Sequence, residues 1–529
     1  YYNQHSYQIS DQMSGNTFVK MPDGSVKHNL MEGPFAFIGH NSGISGDLGL
    51  NWQINENHSL GMKMNYGGML FGNQDIVFED KVYANDELID IVHSTSHTTT
   101  PSSHTFTGNI YYDGNINKLH VNFNADFSDS GYKKETNVNE NSQNDPAFIE
   151  NLSDGVARMG AGKLVLSYPI WKGMFKIGTE ETYVSAKQEY NSTKTEIPSS
   201  KAKITENNIS GFAEYALPFK YVQVVTGIRY EHVNFEYTNE CSPKDNISRT
   251  HNNWFPSFNA STKIGPVGIN LGYTTKIKRP RYDQLSTEMQ YNNRFLYQTG
   301  DPTLLNEIQN TLSLNANWRW LTLTGAYEVV DNAIYQLGYP YDDDCTAMVK
   351  YSNAKETVRK LNIYLNASPT VGIWNPRYTV GMEKQYFETT VIDPRESTGT
   401  RVVKRNDPMF FVQANNSFKL KQGWLIDLDY QYTSPFDYVM YKFTKPKHSL
   451  NLAVSKSFLK HDALNVRLAW NDILNKTKEH VCTDYGNFIH NQNNDYYSPS
   501  IQLRLSYRFN TANSKYKGTG AGADAKSRM

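Results

Sequence analysis

Long apolar runs are missing from this chain of 529 residues. Its apolar stretches last only a few residues, far short of the roughly 20 that cross a bilayer as a helix, so no transmembrane helix is encoded. Cysteine is scarce: Cys241, Cys345 and Cys482 are widely separated, odd in number and in no C-x-x-C spacing. That excludes a zinc cluster and argues against a disulfide framework; at most one bridge can form, and the spacing does not choose its partners. Neither sign of charge is in excess, with 52 Lys+Arg against 53 Asp+Glu, so there is no basic field for nucleic acid. The opening "YYNQHSYQIS" has neither the basic start nor the apolar stretch of a secretory leader, as expected if a leader has been removed or if this is the later part of a longer protein. G-x-S-x-G, a Walker loop, G-x-G-x-x-G and H-E-x-x-H are all missing. The expectation is a protein that is not an enzyme, with no cofactor, metal or catalytic residue.

What is present is patterned. Only 38% of residues are hydrophobic and the mean hydropathy is −0.62, yet aromatics reach 13%, with 36 Tyr. Disordered chains of similar polarity lack aromatics. In "LGLNWQINENHSLGMKMNYG" (48–67), Leu48, Leu50, Trp52 and Ile54 alternate with Gly49, Asn51, Gln53 and Asn55, and alternation resumes after Glu56-Asn57-His58. Period-two alternation around a short polar run is a hairpin of two-faced strands. The same pattern recurs in "KLHVNFNADF" (118–127), "YVQVVTGIRYE" (221–231), "WLIDLDYQY" (424–432) and "IQLRLSYRF" (501–509). Helical spacing is nowhere sustained for three turns, so the chain is all-β.

Connections alternate between short ones, such as "NENH" (55–58), "PIWKG" (169–173) and "KQG" (421–423), and long polar segments such as 11–41, 69–101, 128–158 and 279–307. A soluble sandwich has no reason for this alternation. A large antiparallel transmembrane β-barrel of the outer membrane does, with tight turns on the periplasmic side and long loops outside. Six tryptophans (Trp52, Trp171, Trp318, Trp320, Trp374 and Trp424) sit at or beside the short turns, where a girdle at headgroup depth belongs. The apolar face is then expected to meet lipid and the polar face a wet lumen. Counting hairpins gives about 20 strands, enough for a lumen too wide for side chains to fill.

At "TTKIKRPRYDQLS" (274–286), followed by "GDPTLLNE" (300–307), the chain resembles TonB-dependent outer-membrane receptors, and among them the outer-membrane β-barrel subgroup. The motif residues are Arg279, Pro280, Tyr282 and Leu285, then Gly300, Asp301, Pro302, Leu304 and Glu307. "TGIRYE" (226–231), "NDILN" (471–475) and the last strand "LRLSYRFN" (503–510) also match, as does the polar ending "SKYKGTGAGADAKSRM". The resemblance implies a multi-pass outer-membrane receptor for a scarce solute, with outer-membrane lipid around it. It also implies an N-terminal plug, a TonB-contacting box and about 22 strands. The chain leaves no room for a plug ahead of its first hairpin. The expectation is therefore a barrel over 1–510 lacking its first strands and plug, with TonB reached through that missing region, and a tail over 511–529 dangling in the periplasm. A seam is expected between residues 1–10 and 501–510. Leu503, Leu505, Tyr507 and Phe509 resemble the terminal signal read by the outer-membrane assembly machinery, and a surface lipoprotein is a candidate partner.

Two readings stay open for the arginines. Arg279 and Arg281 either tie down a loop root through carboxylates such as Asp283, or, with Arg229, form a lumen-facing basic patch that touches an anionic substrate or a plug. "YDDDC" (341–345) offers adjacent carboxylates to a hard cation, but consecutive residues of an extended chain diverge, which favours a solvated acidic loop. The competing functions are a passive porin-like channel and a structural or assembly barrel that binds partner proteins.

Overall fold

The computed structural model describes residues 2–342, 346–496, 498–508 and 517–529. Eleven antiparallel strands come first: β1 (Tyr2–Lys20), β2 (Val26–Asn55), β3 (His58–Ala84), β4 (Glu87–Ile116), β5 (Leu119–Ser142), β6 (Ala147–Ile170), β7 (Gly173–Ser192), β8 (Ser200–Pro218), β9 (Val222–Asn239), β10 (Ile247–Ile264) and β11 (Val267–Lys278). Nine more continue the ladder, namely Glu307–Trp318, Leu321–Asp331, Val358–Ala367, Trp374–Ile392, Met409–Lys419, Trp424–Thr433, Lys447–Phe458, Leu464–Asn471 and Ser500–Tyr507, twenty in all. This is the expected transmembrane barrel.

Its outer face is apolar where the sequence alternates. Leu48, Leu50, Trp52 and Ile54 are exposed, as are Phe123, Phe127, Ile177, Leu428, Leu503 and Leu505. Trp52, Trp171, Trp318, Trp320 and Trp424 are exposed beside the short turns, Trp171 at 92%, as a headgroup girdle requires. Inward, Asn122, Asn124, Asp126, Thr182, Glu206 and Glu231 are buried.

The long segments 11–41, 69–101 and 128–158 are mostly strand, whereas 279–307 is a folded loop. Residues 69–101 complete β3 and begin β4, joined by a two-residue turn in which Asn85 (φ 48°) and Asp86 (φ 70°) are both left-handed, the geometry that suits a tight hairpin. β2 and β4 are 30 residues long, about three times what a bilayer needs. The first strands thus rise well above the membrane as a stockade. There the phase of the pattern inverts. Along β7, Ile177 and Tyr183 face out; higher up, Val184, Ala186 and Tyr190 face in and are buried. β9 does the same, with Ile228 outward below and Val233, Phe235 and Tyr237 inward above. Where lipid ends, the outer face becomes polar and the inner face gains a core, so the lumen is not uniformly wet.

That core is built on folded loops. A second sheet pairs Met289–Asn293, Leu296–Thr299, Ala347–Asn353 and Ile334–Pro340. Its Met289, Tyr291 and Tyr297 pack on Val138, Ile149 and Tyr190 of the stockade. Between β11 and this sheet lies α1 (Tyr282–Leu285).

The ladder does not close between its ends. Ser500–Tyr507 pairs with Leu464–Asn471, while β1 pairs with β2 and, through Met13–Thr17, with the hairpin strand Phe488–Asn494. Among the described residues no ladder joins 2–10 to 500–507. The upper seam is filled by that hairpin.

The tail departs from expectation. Residues 517–529, ending in α2 (Ala523–Arg528), lie against inward side chains such as Asn124, Asp126 and Glu206 rather than swinging free in the periplasm. Their charged and amide groups find complements on the wall. Phe509 and residues 511–516 of the tail fall outside the described residues, as do Asp343, Asp344 and Cys345; Asp342 accepts the amide of Thr346 in a turn.

Two predictions follow from the two-faced wall. Leu428→Arg, on the outer face above the Trp424 girdle, should destabilise folding into lipid vesicles by roughly 2–4 kcal/mol in urea titrations, whereas Gln502→Arg, facing the lumen, should change it little. Asp427 and Asn122 are unsuitable inward controls, since Asp427 pairs with Arg467 and Asn122 bonds Asp113. For orientation, Cys241 is a free, exposed thiol at the long-connection end. It should react with an impermeant thiol reagent on intact cells, and Lys172→Cys in a background of Cys241→Ser, Cys345→Ser and Cys482→Ser should not. The reverse labelling would overturn the orientation. Glu140 makes a poor probe, because Tyr291 and Arg294 bury it.

Candidate functional site

The lumen carries charges in a connected row. β7 presents Glu180, β8 presents Glu206, and β9 presents Arg229 and Glu231, two residues apart and therefore on one face. Arg229 Nε donates to Glu231 (2.7 Å) and its Nη2 to Glu180 (3.2 Å). Arg279, just past β11, donates through Nη2 to the other Glu231 oxygen (2.5 Å) and through Nη1 to Asp524 of the tail (2.9 Å). Arg528 of α2 grips Glu206 with both Nη atoms (3.0 and 2.5 Å) and lies 4.9 Å over the Tyr282 ring. Arg279, Glu231, Arg528 and Glu206 are each less than a tenth exposed. Buried charges persist when they are paired and hydrogen-bonded. This row is paired throughout.

The arginines flagged in sequence therefore part ways. Arg281 makes the loop-root contact, with Nε and Nη2 on Asp283 at 2.9 and 2.6 Å, exposed to solvent. Arg279 and Arg229 face the lumen, and Arg279 joins Glu231 of the wall to Asp524 near the chain's own C-terminus. Glu180, Glu206, Asp524 and Arg528 were not singled out from sequence. The one local signal was Arg229-x-Glu231; the remaining partners are too distant in the chain to be paired by inspection.

The two motif segments form a single clasp. Asp301 donates its amide to the Gln284 carbonyl (2.7 Å), and Leu304 is buried with Tyr282 and Leu285. Arg249 of β10 donates to the carbonyl oxygens of Thr303 and Leu304 (3.2 and 2.6 Å). Glu307, buried, takes Lys278 and the Ile334 amide. Pro280 ends the β11 ladder at Lys278, and Pro302 sits in the turn before Leu304. A Cβ on Gly300 would stand 2.4 Å from the carbonyl oxygens of both Gln284 and Ser286, so glycine is required for the close approach. The segment is a structural staple that sets Tyr282 over the lumen.

Elsewhere, loop hairpins line a half-open cavity of about 470 Å³. Its lining includes Gln298, Gln336, Tyr441, Tyr485, His490 and Asn494, and among the described residues contains no Asp, Glu, Lys or Arg. Burial pushes His490 down to about 4, so it is uncharged at neutral pH. Its walls are clamped by Asp393, which accepts from Arg395 (2.8 Å) and Arg401 (2.8 Å), Arg401 in turn gripping Asp484. Burial alone would raise the Asp393 carboxyl, but the two guanidinium groups hold it down at about 2.

The chain matches the model of the outer membrane protein beta-barrel family over residues 112–507 and belongs to that family. It is an outer-membrane barrel of the subgroup that its motifs resembled. Solved structures of similar fold include the copper transporter OprC (TM-score 0.59, 10% identity, covering 92% of this chain and 80% of that one). The ferric citrate transporter FecA in its unliganded form (0.52, 9%, 92% and 78%) and the FrpB iron transporter of Neisseria meningitidis, F5-1 variant (0.51, 11%, 92% and 82%), are also similar. At these identities the likeness is one of fold. No curated protein matches the sequence.

Gly300→Ala should loosen the clasp, because the methyl group collides with two backbone carbonyls rather than with a flexible side chain. A loss of about 1–3 kcal/mol is the usual scale for overpacking. Limited proteolysis should then cut within 279–307 faster than in the parent, while Gly325→Ala, which meets nothing within 4 Å, should leave the pattern unchanged.

Proposed function

We propose that this chain is the barrel of an uptake receptor for a scarce solute, energised through TonB in the full-length form and acting by binding and passage rather than by chemistry. The observation that carries the reading is a lumen topped by folded hairpins that line a half-open cavity of aromatic rings and amides, uncharged among the described residues. An open aqueous pore of the porin type would have little use for such a roof. The last strand, with Leu503, Leu505 and Tyr507 outward, is the feature the assembly machinery would read, and a surface lipoprotein would seat on the exposed mouth. The cavity's chemistry favours a neutral, hydrogen-bonding solute, because a charge buried there would find no counter-charge and would cost several kcal/mol.

Uptake by cells carrying the full-length protein provides the test, with labelled neutral oligosaccharides and ferric chelates as probes. Saturable uptake of a neutral probe, abolished when the proton gradient is collapsed or TonB removed, is the expected result. Tyr441→Ala should raise the half-saturating concentration several-fold without changing the maximal rate. Non-saturable, energy-independent entry would favour the porin reading, and preference for the chelates would overturn the neutral-solute assignment.

A further inference from the structure

The tail is fitted to the lumen wall along its whole described length. Its described part starts toward the short-turn end, the end at which the last strand finishes with the Arg508 amide on the Ala463 carbonyl. Lys517 lies 3.6 Å from Asp113. The amides of Thr519 and Gly520 donate to Asn124 (3.1 and 3.0 Å), and the Thr519 hydroxyl donates to Asn122 (3.2 Å). The Ala521 amide donates to Asp126 (3.0 Å), which also receives Lys526, and the Gly522 amide donates to Glu180 (2.9 Å). Above these contacts Arg528 takes Glu206 and Asp524 takes Arg279. Met529 packs on the cluster beneath Tyr282 and Leu285.

The match is one of shape as well as charge. Gly520 (φ 74°) and Gly522 (φ 64°) are left-handed, and a Cβ on Gly522 would stand 2.7 Å from Met159 Sδ and 2.9 Å from Ala161 Cβ. The alternating glycines of "KGTGAGAD" let the backbone lie directly on β5–β7, with its amides turned to the wall. With the tail in place Asp126, Glu180 and Glu206 are only 3%, 14% and 6% exposed. Cationic groups and amide donors are what such a row of acids accepts, and the tail brings both.

We infer that residues 517–529 are a lumenal latch: an acidic cradle on the inner wall of β5–β9 binds this segment as its ligand, and solute crosses the barrel only when the latch withdraws. The first half stands on the contacts alone. The second rests on the transport reading, since α2, packed against α1, lies in the lumen that a solute would cross.

The two halves are tested separately in the full-length protein. For docking, Thr519→Cys is paired with Asn122→Cys in a background of Cys241→Ser, Cys345→Ser and Cys482→Ser, and oxidised mildly in outer membranes. An intrachain bridge is expected with Asn122→Cys and not with Asn465→Cys, which lies elsewhere on the wall. No bridge in the first pair overturns the latch. For gating, Arg528→Glu, Glu206→Arg and the double exchange are compared for entry of a large polar antibiotic, with heat-modifiable migration as the check on folding. Each single change should raise entry several-fold, and the exchange should return it to the parental level. Unchanged entry in folded single variants, with the bridge still formed, would make the tail a fixed lining and overturn the gating half. Loss of the solute reading through Tyr441→Ala would leave the docking result untouched.

Discussion

A bilayer core offers no hydrogen-bond partner to a peptide group, and every other feature of this molecule follows from that constraint. Each backbone N–H and C=O at membrane depth must be met by a neighbouring strand, since an unmet group costs several kcal/mol. The result is the twenty-strand antiparallel ladder, with tight turns at one end and a two-faced alternation along each strand. Among the described residues, no ladder bridges the seam between Ser500–Tyr507 and the start of β1. Higher up, Phe488–Asn494 meets β1 at Met13–Thr17. The outward Ile501, Leu503, Leu505 and Tyr507 still present a lipid face beside the open edge.

Alternation made the barrel legible in sequence, because period two is visible without knowing what lies on either face. What it concealed was the edge of the membrane. Residues 69–101 and 128–158 are polar overall and resemble loops, yet they are strands whose apolar residues have moved to the inner parity. Tyr183 and Val184 are adjacent on β7; one is 52% exposed and the other fully buried. Above that point Ser185, Lys187 and Glu189 face water while Ala186 and Tyr190 face a core. A change of phase, rather than a loss of pattern, marks where lipid gives way to water. A reading that scores only hydrophobicity takes the polar outer face for a loop.

The site was half legible for a related reason. Arg279 and Arg281 are near neighbours in one motif, and sequence alone gave them the same two options. Their fates diverge because Arg281 finds Asp283 locally, whereas Arg279 meets Glu231 on β9 and Asp524 near the C-terminus. Pairings across 48 and 245 residues are set by barrel curvature and by the path of the tail, neither of which local spacing encodes. Gly300 is the opposite case. Its motif was evident, and the structure supplies the reason: two carbonyl oxygens lie where a side chain would begin.

A net charge of −1 conceals how strictly the charges are sorted. Among the described residues the roof cavity has none, and the wall of β7–β9 concentrates them in a paired row that extends into the tail. Buried ion pairs are poor sources of stability, because desolvation offsets most of their attraction; what they supply is register and specificity. Hydrophobic residues on the tail would have stuck to the apolar cluster under α1 without choosing a position. Charges do choose, and they differ from apolar contacts in one further respect. Water entering the lumen can solvate both partners as they separate, so the apolar surface uncovered on the way out is confined to the contacts of Ala525 and Met529. A segment that must be held in one place and also leave it is best held by charge, and that is how Asp524, Lys526 and Arg528 are held.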